Sequence, residues 1–239
     1  MATTAVPNSR LSGERRFFLG MAAALAVCTF AGFAQTYFLM RWTGAASLAP
    51  IVHLHGVLFT AWVLLFGVQA GLIAARRHDV HAMMGVAAMI LAAAIVALGI
   101  IISVSRSRPP ALSPLTNEQF LIMPIVTIGL FALFVTLAFL NRRRPDYHKR
   151  YMLLATIHIV VPALARMTLL LPVVPRGVVG ALLIADLFLA ALAWFDWRTL
   201  GRLHPATFIG GLIALISQPL RFMIAQSEWW PGIARLLLV

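Results

Sequence analysis

Residues 51–74 read IVHLHGVLFTAWVLLFGVQAGLIA, a stretch without a single Asp, Glu, Lys or Arg. A helix crossing a hydrocarbon core of ~30 Å needs about 20 predominantly apolar residues, and this stretch supplies them. Working outward from it, six further runs of the same kind occupy 17–40, 83–104, 120–140, 151–171, 177–195 and 206–225. They are continuous in Ala, Leu, Val and Ile and do not alternate as barrel strands do, so the backbone can satisfy itself in lipid only as helices. The expected fold is an all-α polytopic membrane bundle of about seven transmembrane helices.

The composition agrees. Of 239 residues, 62% are apolar and 11% charged, too little polar surface for a water-soluble enzyme. The net charge of +12 is spread between the apolar runs instead of gathered in a patch, which makes a nucleic-acid partner unexpected. Cys28 is the single cysteine, so disulfide frameworks and cysteine-rich metal centres are excluded.

Basic residues on alternate sides of the runs set an orientation. One side collects Arg15, Arg16, Arg76, Arg77, Arg142, Arg143, Arg144, Lys149, Arg150 and others, and the opposite side is poorer, with Arg41, Arg106, Arg108, Arg176 and Arg235. The positive-inside rule then puts the N-terminus in the cytoplasm and the C-terminus outside, in a bacterial inner membrane. On this reading residues 1–16 are a cytoplasmic tail, 17–225 a single membrane domain and 226–239 a short external segment. The first run also has features of a secretory signal peptide, with a basic start and Ala-Gly-Phe-Ala at 31–34, but it is longer than the usual 7–15-residue apolar region.

Polar groups inside a membrane are costly enough to count as functional candidates. At ~1.5 Å per residue, His55, Trp62 and Gln69 lie about 6, 16 and 27 Å below the outer surface on one helix face. His53 points to another face, with Gly56, Thr60 and Gly67, where a neighbouring helix can approach closely. In the fifth run His158 lies about 10 Å and Arg166 about 22 Å above the inner surface, and in the seventh Arg221 reaches the same upper level. Pro162 and Pro219 loosen the helix just before each arginine. The arginines have two readings: they snorkel or bond backbone carbonyls, or with His55 and Gln218 they form an outer cup for a carboxylate or phosphate. Asp186 is a candidate partner for Arg166.

A second histidine group lies at the inner face. His78 and His81 precede the third run, and His148 precedes the fifth. His81 and His148 each stand two or three residues before an apolar run and so share a depth, as the two axial ligands of one haem iron must. His55 and His158 are about 13 Å apart in height on the same arithmetic, a strained pair. His204, beside Pro205, reads as a loop histidine without a suggested partner.

The string His53-Leu-His-Gly56 with Phe59, Trp62, Phe66 and Gln69, then His81-x-x-x-Gly85, His148-Lys149-Arg150 and Ala163-x-x-Arg166, resembles a group of bacterial multi-pass membrane proteins of uncharacterised function. Across residues 50–167 its histidine-bearing helix starts are loosely similar to small di-haem membrane cytochromes of the b561 type. That resemblance implies a helical bundle holding haem between histidines.

Two classes of function follow. In the first, His81 and His148, with His55 and His158 above them and Arg166 and Arg221 for carboxylates, hold b-type haem for electron transfer, with a lipid quinone or another membrane complex as partner. A variant replaces haem by zinc or copper on His78, His81 and His148. In the second, the outer arginines and histidines serve a transporter, an anion-binding protein or an assembly partner. No G-x-S-x-G, Walker or G-x-G-x-x-G pattern occurs, and whether the chain is an enzyme is open.

Overall fold

A computed structural model describes residues 8–43, 48–106, 109, 114–171 and 173–238. The helices are α1 (Asn8–Phe33), prolonged by a π-helical turn (Ala34–Phe38), α2 (Met40–Thr43), α3 (Pro50–Ala74), α4 (His78–Arg106) and α5 (Asn117–Leu140). They continue with α6 (Pro145–Met167) and its short 3-10 turn (Thr168–Leu170), α7 (Val178–Leu200), α8 (Pro205–Ala225) and α9 (Trp230–Leu237). Among the described residues seven helices are long and apolar enough to cross a membrane: α1 with its π turn, and α3 to α8. The chain is a multi-pass helical membrane protein. The end of the bundle that carries Arg76, Arg77, Arg142 and Arg144 is called inner below.

The helices overrun the apolar runs at the inner end. α1 is already helical from Asn8, α4 starts at His78 and α6 at Pro145. Hydropathy registers only the part of a helix that lipid covers, whereas backbone hydrogen bonds continue into the headgroup layer. Pro145 fits the first helical position because its missing N–H would be unpaired there anyway. The expected N-terminal tail is therefore helical over its described part, and Glu14 there meets Lys149 at 2.6 Å. Within the short C-terminal segment, 226–239, lies α9, whose Trp230 indole donates to the Glu118 carbonyl at 2.8 Å.

The bundle is built around α6, which packs against α1, α5, α7 and α8. Between Arg150 and Leu164 only Met152 and Pro162 escape full burial. This central helix is also among the most polar, burying Arg150, Thr156 and His158 with Arg166 exposed near its outer end, while the large apolar side chains of α3 and α8 (Leu54, Leu64, Ile216, Leu220) point outward. That inversion is what lipid as solvent demands: greasy exterior, polar groups sealed among helices. Close approach of α1 to α6 depends on Gly32, where an added Cβ would stand 2.1 Å from the Ala163 carbonyl oxygen. The face of α3 expected to receive a neighbour does so at Gly56, against which the Tyr37 ring lies, with the Tyr37 hydroxyl donating to the His53 carbonyl at 3.3 Å. Gly67 on the same face has open space beside it.

Candidate functional site

At the inner end four helices converge. His81 of α4 and His148 of α6 meet with ring centroids 6.2 Å apart and planes at 87°. His148 Nδ1 lies 2.9 Å from the Ala138 carbonyl of α5. A carbonyl only accepts, so Nδ1 carries a proton, and in the neutral ring this tautomer leaves Nε2 its lone pair. His81 Nδ1 is buried with no hydrogen-bond partner. From α3, Gln69 Nε2 donates to the His81 carbonyl at 3.3 Å, and Gln69 Oε1 is also buried and unpartnered. The sequence placed His81 and His148 at one level, and they do face each other.

His78 does not join them. It is exposed at the first residue of α4, and among the described residues no group of three His, Cys, Asp or Glu side chains is arranged to hold a metal ion. The three-ligand set His78, His81 and His148 is thus not assembled: His78 shares a helix face with His81 but sits exposed at the open start of α4.

The outer histidines differ from expectation in both height and direction. Trp62 Nε1 donates to Thr156 Oγ1 at 3.3 Å, which sets α3 against α6. From that bond His55 lies seven residues and His158 two residues outward, so they differ in height by ~7 Å instead of 13 Å. The earlier figure assumed that both helices begin flush with the membrane surfaces. Direction matters more: His158 lies two residues from Thr156, and ~200° of helix rotation turns it from α3. Its ring stacks on Phe134 of α5 at 5.4 Å, within reach of the Arg221 charge, whereas His55 packs on Phe59 at 3.9 Å, within reach of Arg166. The two histidines belong to different sides of α6.

The outer cup divides in the same way. Arg166 donates to its own helix at the Pro162 carbonyl (3.0 Å) and lies over Phe33. It borders a cavity of about 30 Å³ shared with Gly32 and Thr36, space for about one water. Arg221, 1% exposed, folds back on Ser217. Asp186 pairs with Gln218 of α8 at 2.7 Å and not with Arg166. Both arginines bond a carbonyl one turn back, and Arg221 also donates to the Ser217 hydroxyl.

One constellation was not anticipated. Arg150 and Asp196, 2% and 0% exposed, form a buried ion pair between α6 and α7, and Asp196 also accepts from Thr207 Oγ1 and the His204 N–H. His204 is no idle loop histidine: Nδ1 accepts from the Ala206 N–H at 3.1 Å, capping α8, and Nε2 donates to Asp146 at 3.0 Å. Burial holds its pKa below the ordinary histidine value, with the Asp146 hydrogen bond opposing. The only sequence signal was the neighbouring Pro205, since a residue before a helix-opening proline is placed to cap.

A groove of about 340 Å³ runs between α4 and α5, lined by Met89, Ala92, Val96, Phe131 and Val135. Phe131 in its floor meets Trp62 edge-on at 4.9 Å. In comparisons with known proteins, no family, no curated protein and no solved structure matches the chain.

Proposed function

We propose that the chain is a membrane electron carrier holding one b-type haem between His81 and His148 at the inner end of the bundle. The observation that carries this reading is the state of the ring nitrogens. A 6.2 Å separation is also that of an ordinary edge-to-face ring pair, but here His148 is held by a carbonyl in the tautomer that frees Nε2, and His81 keeps a buried nitrogen without a partner. Metal-bound histidines are oriented by such a second hydrogen bond.

The donor set favours haem over zinc or copper. Protein zinc sites draw on three or four side chains, whereas a haem iron needs one or two beyond the porphyrin. Haem, when bound, supplies one-electron chemistry at iron. The chain's own part is to fix the imidazoles, exclude water from them and present a basic rim to the propionates. Ala138 fixes His148; Gln69 Oε1, itself unpartnered, would do the same for His81 by accepting its ring N–H. The divided outer histidines favour one haem instead of two. A lipid quinone suits as electron partner, and the apolar groove between α4 and α5 would take its isoprenoid chain.

Protein purified in detergent from cells supplied with haem is expected to show a Soret band that sharpens on reduction. His81→Ala and His148→Ala should each lower haem content about tenfold or more while the protein still inserts. A haem-replete preparation without a Soret band overturns the proposal.

A further inference from the structure

The structure assigns a second site, independent of haem: a buried interface between α5, α6 and α8 that binds one monovalent anion of halide size at Arg221 and His158. Arg221 is 1% exposed, and among the described residues no carboxylate oxygen lies within ion-pair distance of it. Ser217 engages two of its five N–H donors, through the carbonyl at 3.2 Å and the hydroxyl at 3.0 Å. The nearest acid along α7, Asp186, is held by Gln218, which stands ~100° round the helix from Ser217. A sealed guanidinium without a counter-charge is the costliest arrangement in a bilayer interior.

The register of the helices brings His158 under that guanidinium. Gly210 of α8 abuts Leu154 of α6 and Phe134 of α5, where an added Cβ would stand 2.3 Å from Leu154 Cδ1. α6 and α8 run the same way, so Ser217 lies ~10 Å and His158 ~6 Å outward from that contact, on the same two facing sides. The guanidinium, folded back to the level of Ser217, therefore lies ~4 Å further outward along the bundle than the imidazole, which its charge reaches. His158 is 3% exposed, Phe134 covers one ring face, and its Nε2 is buried without a partner. A fixed cation and an orphaned ring nitrogen that can donate thus stand at neighbouring levels of one sealed interface. Leu154, Ile157 and Val161 of α6 and Ala214 of α8, each within about a turn of His158 or Ser217, are all buried, so the interface at this level is closed and suits an ion of atomic size.

Thermal unfolding of the full chain in detergent tests this, comparing sodium chloride and bromide with sodium gluconate at equal ionic strength. Raising halide from 1 to 300 mM is expected to raise the melting temperature by ~4 °C or more over gluconate. Arg221→Gln should abolish the halide difference, and His158→Phe, which keeps the stack on Phe134, should at least halve it. Equal melting in halide and gluconate overturns the assignment, as does an undiminished halide difference in either variant. If Arg221→Gln does not fold, His158→Phe decides alone.

Discussion

Substitution of Asp196 by alanine should be among the most damaging single changes in this protein. Asp196 is fully buried and accepts from the Arg150 guanidinium, the Thr207 hydroxyl and the His204 N–H, so its removal strands a buried cation and orphans two further donors. Breaking a buried ion pair by deleting one partner typically costs about 3–5 kcal/mol. The pair itself is another matter, because desolvation of both ions offsets most of their attraction. Arg150→Met combined with Asp196→Ala removes the stranded cation but leaves the Thr207 and His204 donors unpaired, so it is expected to recover only part of the loss, about 1–3 kcal/mol relative to Asp196→Ala. Unfolding in mixed micelles with increasing SDS, followed by circular dichroism, gives both values in a double-mutant cycle. A cost below about 1 kcal/mol for Asp196→Ala, or a double variant no better than the single one, would refute the argument. Arg150 lies two residues after His148, so the single variant should also lower haem content in the preparation used for the Soret test.

Gly32→Val should separate α1 from α6 and cost about 1–3 kcal/mol by overpacking, whereas Gly67→Val, facing open space, should be near neutral in the same unfolding assay. The His204 site predicts a pH dependence. Its folded pKa lies below 6.5, so the unfolded chain binds more protons; the stabilisation is complete above that value and is lost as pH falls through the lower folded pKa. Melting temperatures from pH 7.5 to 5 should fall, and His204→Asn, which retains an α8 cap, should flatten that fall; an unchanged profile in the variant would contradict the assignment.

The seven spans were legible because length and freedom from charge are properties of each segment alone. The level of His81 with His148 was legible for the same reason, as both stand at the entrance to a run. Relations between helices were not. Nothing in the sequence says that Asp186 turns to Gln218, or that Arg150, counted as one more basic residue setting the topology, is sealed against an acid on α7. The division of His55 from His158 is also relational, since it follows from which face of α6 the Trp62 indole touches. His204 was missed because a capping role depends on which atoms a loop brings beneath the next helix.

The burial of α6 bears on how the protein is made. A nascent chain enters the bilayer segment by segment, and α1 and α5 are present when α6 emerges, but Asp196 is synthesised 46 residues after Arg150 and Arg221 later still. Until α7 arrives, the start of α6 carries an unneutralised guanidinium and is best held at the water boundary. Completion of the centre is thereby deferred to the last third of translation, and chains released before α7 would be natural substrates for membrane proteases.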